Sequence, residues 1–360
     1  MDILRLLVFI LGLALVARAV FSAIQTFVLP RSANDRLSRL VFGAIFRVFR
    51  LLLRKTRTYE QRDRIMAFLA PIGLLTLIPM YLVLIFLGFA GMYWAVGNVG
   101  SAEQALKVSG SSIVTLGYSA PGDLADGLLM FAEAAIGLIL VAVLIAYLPT
   151  MYSAFQRREQ AVTLLEVRAG SPPSAVEMIL RYHRIHGLEQ LNVLWVQWEQ
   201  WFADIEESHT SLAALVFFRS PQPDHSWVTA AGAVLDAAAL LRSTIDVPRD
   251  ARADLCIRAG YLALRRIADF FQVSYTANPR ADDPISLSRA EFDAAYDELA
   301  QDGVPLVADR DQAWRDFSGW RVNYDTVLLA LAAITMAPYA PWSSDRSLLP
   351  ARRGPTDRAG

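Results

Sequence analysis

Apolar residues run from Leu6 to Leu29 with one interruption at Arg18. At about 1.5 Å per helical residue, a run of that length crosses a hydrocarbon core of about 30 Å. A charge in mid-run is tolerated when it faces protein or reaches for a headgroup, and that is the expectation for Arg18. A cleaved leader, with Arg5 ahead of its apolar core, is the competing reading. A retained helix is favoured, because no small-residue cleavage site follows a short core and apolar residues continue to Pro30. A second apolar region carries no charge between Arg64 and Glu103. Pro71 and Pro79 bound or bend its start. Tyr81 to Val96 is almost continuously apolar and closes on Tyr93 and Trp94, the residue types of an interfacial aromatic belt. A third run, Leu128 to Phe155, ends at Arg157, Arg158 and Glu159.

The connections between these runs differ in character. From Arg31 to Arg64 there are ten Arg or Lys against three acids, which predicts a cytoplasmic loop and an N-terminus outside. Within it Arg36, Arg39, Arg47, Arg50 and Arg54 recur at helical spacing, while Leu40, Val41, Ile45, Phe49 and Leu52 lie elsewhere around the same helix. That pattern predicts an amphipathic helix on the inner leaflet. The alternative is a solvated basic face packed on the cytoplasmic part. The segment is too densely charged to span as a voltage sensor. Between the second and third runs, Ser101 followed by Gln104 is a helix-start pattern, and Ala102 to Ser112 has the length of a half-membrane helix. The small and hydroxylated stretch Ser111 to Asp123 comes next. Irregular backbone at membrane depth requires surrounding protein or a water-filled cavity, and a pore loop supplies both.

After Gln160 the periodicity is helical throughout. Gly170 to Pro173 breaks the chain, and Ser174 with Glu177 opens a helix. Leu188 to Ile205 carries Leu191, Leu194, Trp195, Trp198 and Trp201 at spacings of three and four, a stripe expected in a core. Trp227 to Ile245 and Ala251 to Phe271 read as long central helices, Ser288 with Glu291 opens another, and Trp314 to Met336 reads as the last. Its apolar portion from Val327 is too short to span and predicts a buried helix. The Pro-, Ser- and Arg-rich tail from Pro341 is expected to be disordered. The expected fold is an all-α membrane protein: three transmembrane helices, a re-entrant pore loop between the second and third, and an all-helical cytoplasmic domain. The expected divisions are 1–30 (first span), 31–64 (basic amphipathic segment), 65–156 (pore module), 157–338 (helical domain) and 339–360 (tail).

Composition agrees with that division. The chain is 54% hydrophobic and 19% charged, as in a membrane protein with a sizeable soluble part. Lys and Arg outnumber Asp and Glu by 13 to 8 through Gln156. Of the 34 basic and 35 acidic residues in all, 21 and 27 remain beyond it. A basic first half and an acidic second half give nucleic-acid binding no support. The single cysteine, Cys256, rules out an internal disulfide framework and suits a reducing cytoplasm.

Thr115-Leu116-Gly117-Tyr118, after a short capped helix and between two spans, resembles the filter of the potassium channel family, whose two-helix pore module is matched over roughly Arg64 to Arg157. The resemblance implies that the carbonyls of Thr115, Leu116, Gly117 and Tyr118, with the Thr115 hydroxyl, replace the hydration shell of a permeant potassium ion. It implies that Tyr118 braces the filter from behind and that four chains assemble as a homotetramer in the lipid bilayer. Three departures stand beside it. Ser119 takes the place of the last filter glycine, where an unusual backbone would cost about a kcal/mol or more; Asp123 follows only after Ala120-Pro121-Gly122; and Lys107, Ser109 and Gly110 stand where paired tryptophans are common. Selectivity for potassium over sodium is therefore open. Asp123 and Asp126 are candidates for an acidic outer mouth, with a solvated loop as the alternative, Glu133 for support behind the filter, for the outer cavity or for an ordinary buried hydrogen bond, Gly137 for close helix approach or a hinge and Pro149 for a kink.

No nucleotide-binding glycine turn, phosphate loop, zinc signature or hydrolase elbow occurs, and the expectation is a protein that is not an enzyme and needs no cofactor. His183 and His186 could share a helix face as metal ligands, without a fixed third partner. Glu207, Ser208 and His209 combine a base with a hydroxyl but lack an oxyanion signature. An unidentified ligand or protein is expected at the helical domain. The competing function is a membrane-anchored scaffold or receptor that retains a non-conducting pore fold.

Overall fold

The computed structural model describes residues 2–29, 35–54, 56, 58–97, 99–119 and 123–346. Among these residues every regular element is a helix, besides one isolated antiparallel bridge between Ile245 and Leu306. Pro30, the arginine at 31, Lys55, Arg57 and the Ala120-Pro121-Gly122 insertion lie outside the described residues. The chain forms two compact units, Met1–Ala154 with Ser211–Phe218, and Phe155–Thr210 with Arg219–Gly360.

The first unit begins with α1 (Ile3–Phe27), α2 (Arg36–Leu53), α3 (Tyr59–Met66), α4 (Leu69–Val96) and α5 (Ala102–Ile113), and takes the first part of α6 (Leu124–Ala169). Three helical stretches, Ile3–Phe27, Tyr59–Val96 and Leu124–Ala169, are long and apolar enough to cross a membrane. α1 packs along α4, and the two backbones meet at a pair of glycines. A Cβ on Gly12 would stand 2.5 Å from the Gly88 carbonyl oxygen, and one on Gly88 would stand 2.8 Å from that of Gly12. Absent side chains bring the helices to backbone contact, a contact that Ala, Val or Leu would hold apart.

Asp35 ties α2 to this pair. Its carboxylate caps α2 by accepting from Ser38 N at 2.7 Å, and also accepts from Ser22 Oγ at 2.7 Å and Arg18 at 3.2 Å. The hydroxyls of Ser22, Thr26 and Ser38 each lie 3.0 Å from Tyr81 Oη on α4. Arg18 thus bonds to protein while its side chain stays half exposed. The apolar turn Ala213–Phe217 packs with α4.

α6 departs from expectation at both ends. It starts at Leu124 and continues past Phe155 to Ala169, because Arg157 to Gln160 are good helix formers and nothing stops the helix until Gly170 adopts a left-handed φ of 79°. Pro149 does not end it: the missing N–H removes one bond from a helix that continues for five more turns.

The second unit holds the last part of α6 with α7 (Ala175–Arg184), α8 (Leu191–Ser211), α9 (Trp227–Thr244), α10 (Ala251–Phe270), α11 (Arg289–Gln301), α12 (Arg310–Arg321) and α13 (Asp325–Thr335). α9 is its centre. Every residue of α9 except Arg242 is buried, with α7, α10, α12 and α13 against it. Its alanines let four neighbours approach closely, and Gly260 of α10 gives way to Leu235 and Phe202. The stripe Leu191, Leu194, Trp195, Trp198 and Trp201 is buried in the core.

The single helix expected over Trp314–Met336 is two. Arg321 bonds to Asp236 at 2.5 Å and to Asp325 at 2.8 Å, Tyr324 Oη donates to Asp236 at 2.8 Å, and the chain turns at Val322–Tyr324 to make these contacts. All four side chains are buried. The expected disorder from Pro341 does not begin there. Ser343 is buried, Trp342 packs edge-on against Phe317, and Arg346 bonds to Glu291 at 2.7 Å; residues 347–360 lie outside the described residues.

Candidate functional site

α5 is a short amphipathic helix whose N-cap, Ser101, accepts from Gln104 N at 3.2 Å, with Glu103 in the first turn beside the positive helix end. Glu103 and Lys107 pair on the exposed face. The other face, Ala105, Val108, Ser109, Ser112 and Ile113, is buried. Its hydroxyls bind neighbouring helices: Ser112 Oγ donates to the Met130 carbonyl on α6 at 2.8 Å, and Ser109 Oγ lies 2.9 Å from the Phe86 carbonyl on α4.

Glu133 is the common anchor. One carboxylate oxygen lies 2.5 Å from Ser109 Oγ of α5 and the other accepts from Tyr93 Oη of α4 at 3.1 Å, while Glu133 itself stands on α6 and is fully buried. One side chain therefore joins three helices behind the loop that follows α5. Of the two roles expected for Gly137, the geometry shows close approach: a Cβ there would lie 2.5 Å from the Ile113 carbonyl at the end of α5.

In the loop, φ is 57° at Thr115 and 69° at Gly117, and it is not positive at Leu116, Tyr118 or Ser119. Residues of alternating handedness turn their N–H groups to a common side. Thr115 N donates to the Ser112 carbonyl at 2.9 Å, Leu116 N and Gly117 N to the Ser111 carbonyl at 2.8 and 3.3 Å, and Ser119 N to Ser111 Oγ at 3.1 Å. The amides thus face the end of α5, and among the described residues nothing donates to the carbonyls of Thr115, Leu116, Gly117 or Tyr118.

Several expectations change here. The strain expected at Ser119 falls on Thr115, a β-branched residue in the left-handed region, because the handedness alternates from Thr115 and has ended before Ser119. Tyr118 does not lie behind the loop within the chain; it is 66% exposed, as is Leu116 at 68%. Asp126 is fully buried and is no mouth group, whereas Asp123 is exposed and caps α6 through Leu124 N at 2.7 Å. Ser109, Ser111 and Ser112, which do most of the positioning, were not singled out from sequence for that role; their i, i+3 spacing at 109 and 112 is the only local signal, and their partners lie on other helices.

In the second unit, His209 is buried with Arg158. Arg158 Nη1 lies 3.3 Å from His209 Nε2, Ser208 Oγ lies 3.1 Å from Nδ1, and Glu159 takes the Arg158 guanidinium at 2.6 Å. An arginine can only donate, so Nε2 is the acceptor and the proton sits on Nδ1. Burial, and then the Arg158 charge, hold the imidazole well below its ordinary pKa. Among the described residues no three His, Cys, Asp or Glu side chains are grouped to hold a metal. A groove of about 270 Å³ between the end of α6 and α8 is lined by Arg157, Gln160, Leu164, Arg168, Trp198 and Trp201 among others.

Three helices able to cross a membrane and a buttressed irregular loop between two of them define, at the coarsest level, a helical chain compatible with a membrane protein. No protein-family model, curated protein or solved structure matches it.

Proposed function

We propose that the chain forms a cation-conducting pore in a membrane, four copies together, with potassium as the permeant ion. The reading is carried by the loop after α5, whose amide N–H groups at Thr115, Leu116, Gly117 and Ser119 all turn back toward α5. Carbonyls left on the opposite side are the groups that replace the water around a cation. One strand of them cannot enclose an ion, so the reading requires several copies around an axis, and Leu116 and Tyr118 then meet neighbouring chains. The basic residues after α1 and at Arg157 and Arg158 support an orientation with the N-terminus outside and the second unit in the cytoplasm.

The experiment is flux of potassium and of sodium into liposomes carrying the purified protein. The expected outcome is cation flux that Gly117→Asp abolishes, since a side chain at φ 69° strains the backbone and an added carboxylate traps the ion. Flux untouched by Gly117→Asp would dismiss the assignment of the filter. Tetramers that pass no ion would identify a scaffold with the pore fold.

A further inference from the structure

α2 divides its circumference into three stripes. Val41 and Phe49 are buried, and the Phe42 ring fills the place where Gly73 of α4 lacks a side chain. At about 100° per residue, a second stripe carries Leu40, Val48, Leu51 and Leu52, each 50% exposed or more. The third carries Arg39, Arg47, Arg50 and Arg54, all exposed. Among the described residues no carboxylate pairs with any of these four guanidinium groups; Arg50 lies over the Phe46 ring at 5.0 Å.

Water suits the arginines and leaves four large aliphatic side chains uncovered. A hydrocarbon core suits the aliphatics and excludes the arginines. Both stripes are satisfied together at the boundary, where aliphatic groups enter the acyl region and guanidinium groups meet phosphate oxygens in paired hydrogen bonds. The helix is also held at one end, because the Asp35 cap is bonded to Ser22 and Arg18 of α1, and the Ser38 hydroxyl reaches Tyr81 of α4. It therefore presents fixed stripes and does not roll freely.

We propose that α2 is a binding surface for anionic phospholipids. Arg39, Arg47, Arg50 and Arg54 take the headgroup phosphates, and Leu40, Val48, Leu51 and Leu52 take the adjoining acyl chains. Charge complementarity selects this occupant: four cations without acidic partners attract the surface of an anionic leaflet, and zwitterionic lipid lacks that net charge. The inference rests on the membrane part of the proposed function and is independent of conduction.

The test uses the whole protein in liposomes. Cys256 is fully buried, and in a Cys256→Ala background a bimane label on Leu51→Cys reports which lipid touches α2. Quenching is compared between vesicles in which only phosphatidylglycerol, or only phosphatidylcholine, carries brominated chains, at one fixed lipid composition. The expected result is quenching at least about twofold stronger from the anionic lipid, a preference that fades at high salt and disappears when all four arginines are replaced by Gln. Equal quenching by the two lipids would mean immersion without headgroup recognition, and no quenching by either would mean that water or protein covers the stripe; either overturns the proposal. The salt series on the unmutated arginines decides the matter if the Gln variant does not fold. Ion flux is read on the same vesicles, so lipid preference without flux would dismiss the pore alone.

Discussion

His209 has its two nitrogens committed in a way that allows a single protonation state. Arg158 Nη1 points at Nε2, and a proton there would set two cations 3.3 Å apart in a buried site. Burial and Arg158 depress the imidazole pKa in the folded chain, whereas the unfolded chain binds the proton near its ordinary value of about 6.5. A depressed folded value means that the contribution to stability is complete above about pH 6.5 and is lost as the pH falls below it. We expect the denaturation midpoint of the detergent-solubilised protein to fall between pH 7 and pH 5, by up to about 1.4 kcal/mol of stability per pH unit from this residue. His209→Phe should flatten that slope. A slope unchanged in the variant would assign the acid sensitivity to other groups. Glu159, which holds Arg158 at 2.6 Å, is the compensating charge on the other side of the guanidinium. The site was legible in sequence only as a base next to hydroxyls. Its deciding partner, Arg158, is 51 residues away, a distance no local pattern bridges. Glu133 is similar: its place in an apolar run marked it, while Ser109 and Tyr93, 24 and 40 residues away, gave no sign of meeting there.

Among the elements, α1 and α4 show most directly how packing limits the sequence. The Gly12–Gly88 crossing puts backbone on backbone, and a Cβ on Gly88 would also fall 2.6 Å from Val16 Cγ2. Gly91, one turn further along α4, has only Val8 near it at 3.5 Å. Gly88→Val should therefore separate the helices and destabilise the unit by about 1–3 kcal/mol, while Gly91→Ala should fold as the parent does. Thermal aggregation of the two purified variants measures the difference, and equal midpoints would show that the crossing is not tight. The helices themselves were legible because apolar runs bounded by charge leave few alternatives. Their junctions were less so. Reading α6 as ending at Phe155 treated Arg157 and Arg158 as a boundary, although both are good helix formers and only Gly170 supplies a stop. Dividing α12 from α13 depends on Arg321 reaching Asp236, 85 residues away; before that contact is known, Trp314 to Met336 reads as continuous helix.

For the whole molecule, the loop after α5 raises a question of number. On the proposed reading a single chain supplies one row of carbonyls, at Thr115, Leu116, Gly117 and Tyr118, too few to replace the water around an ion. The sequence made the loop visible through Thr115-Leu116-Gly117-Tyr118 and its two flanking apolar runs, but not the turning of the amides toward Ser111 and Ser112, which depends on α5 ending at Ile113. If four such rows form one site, a single defective row spoils it. Co-expression of the parent chain with Gly117→Asp in equal amounts is then expected to leave about one-sixteenth of assemblies free of the variant, and flux per unit of protein should fall to about that fraction of the parent value. A pore within each chain would instead leave about half the flux, and a two-chain pore about a quarter. Titrating the ratio of the two chains separates these cases by the curvature of the loss. A linear loss would dismiss the shared carbonyl cage even if the protein conducts, because it would show that each chain passes ions by itself.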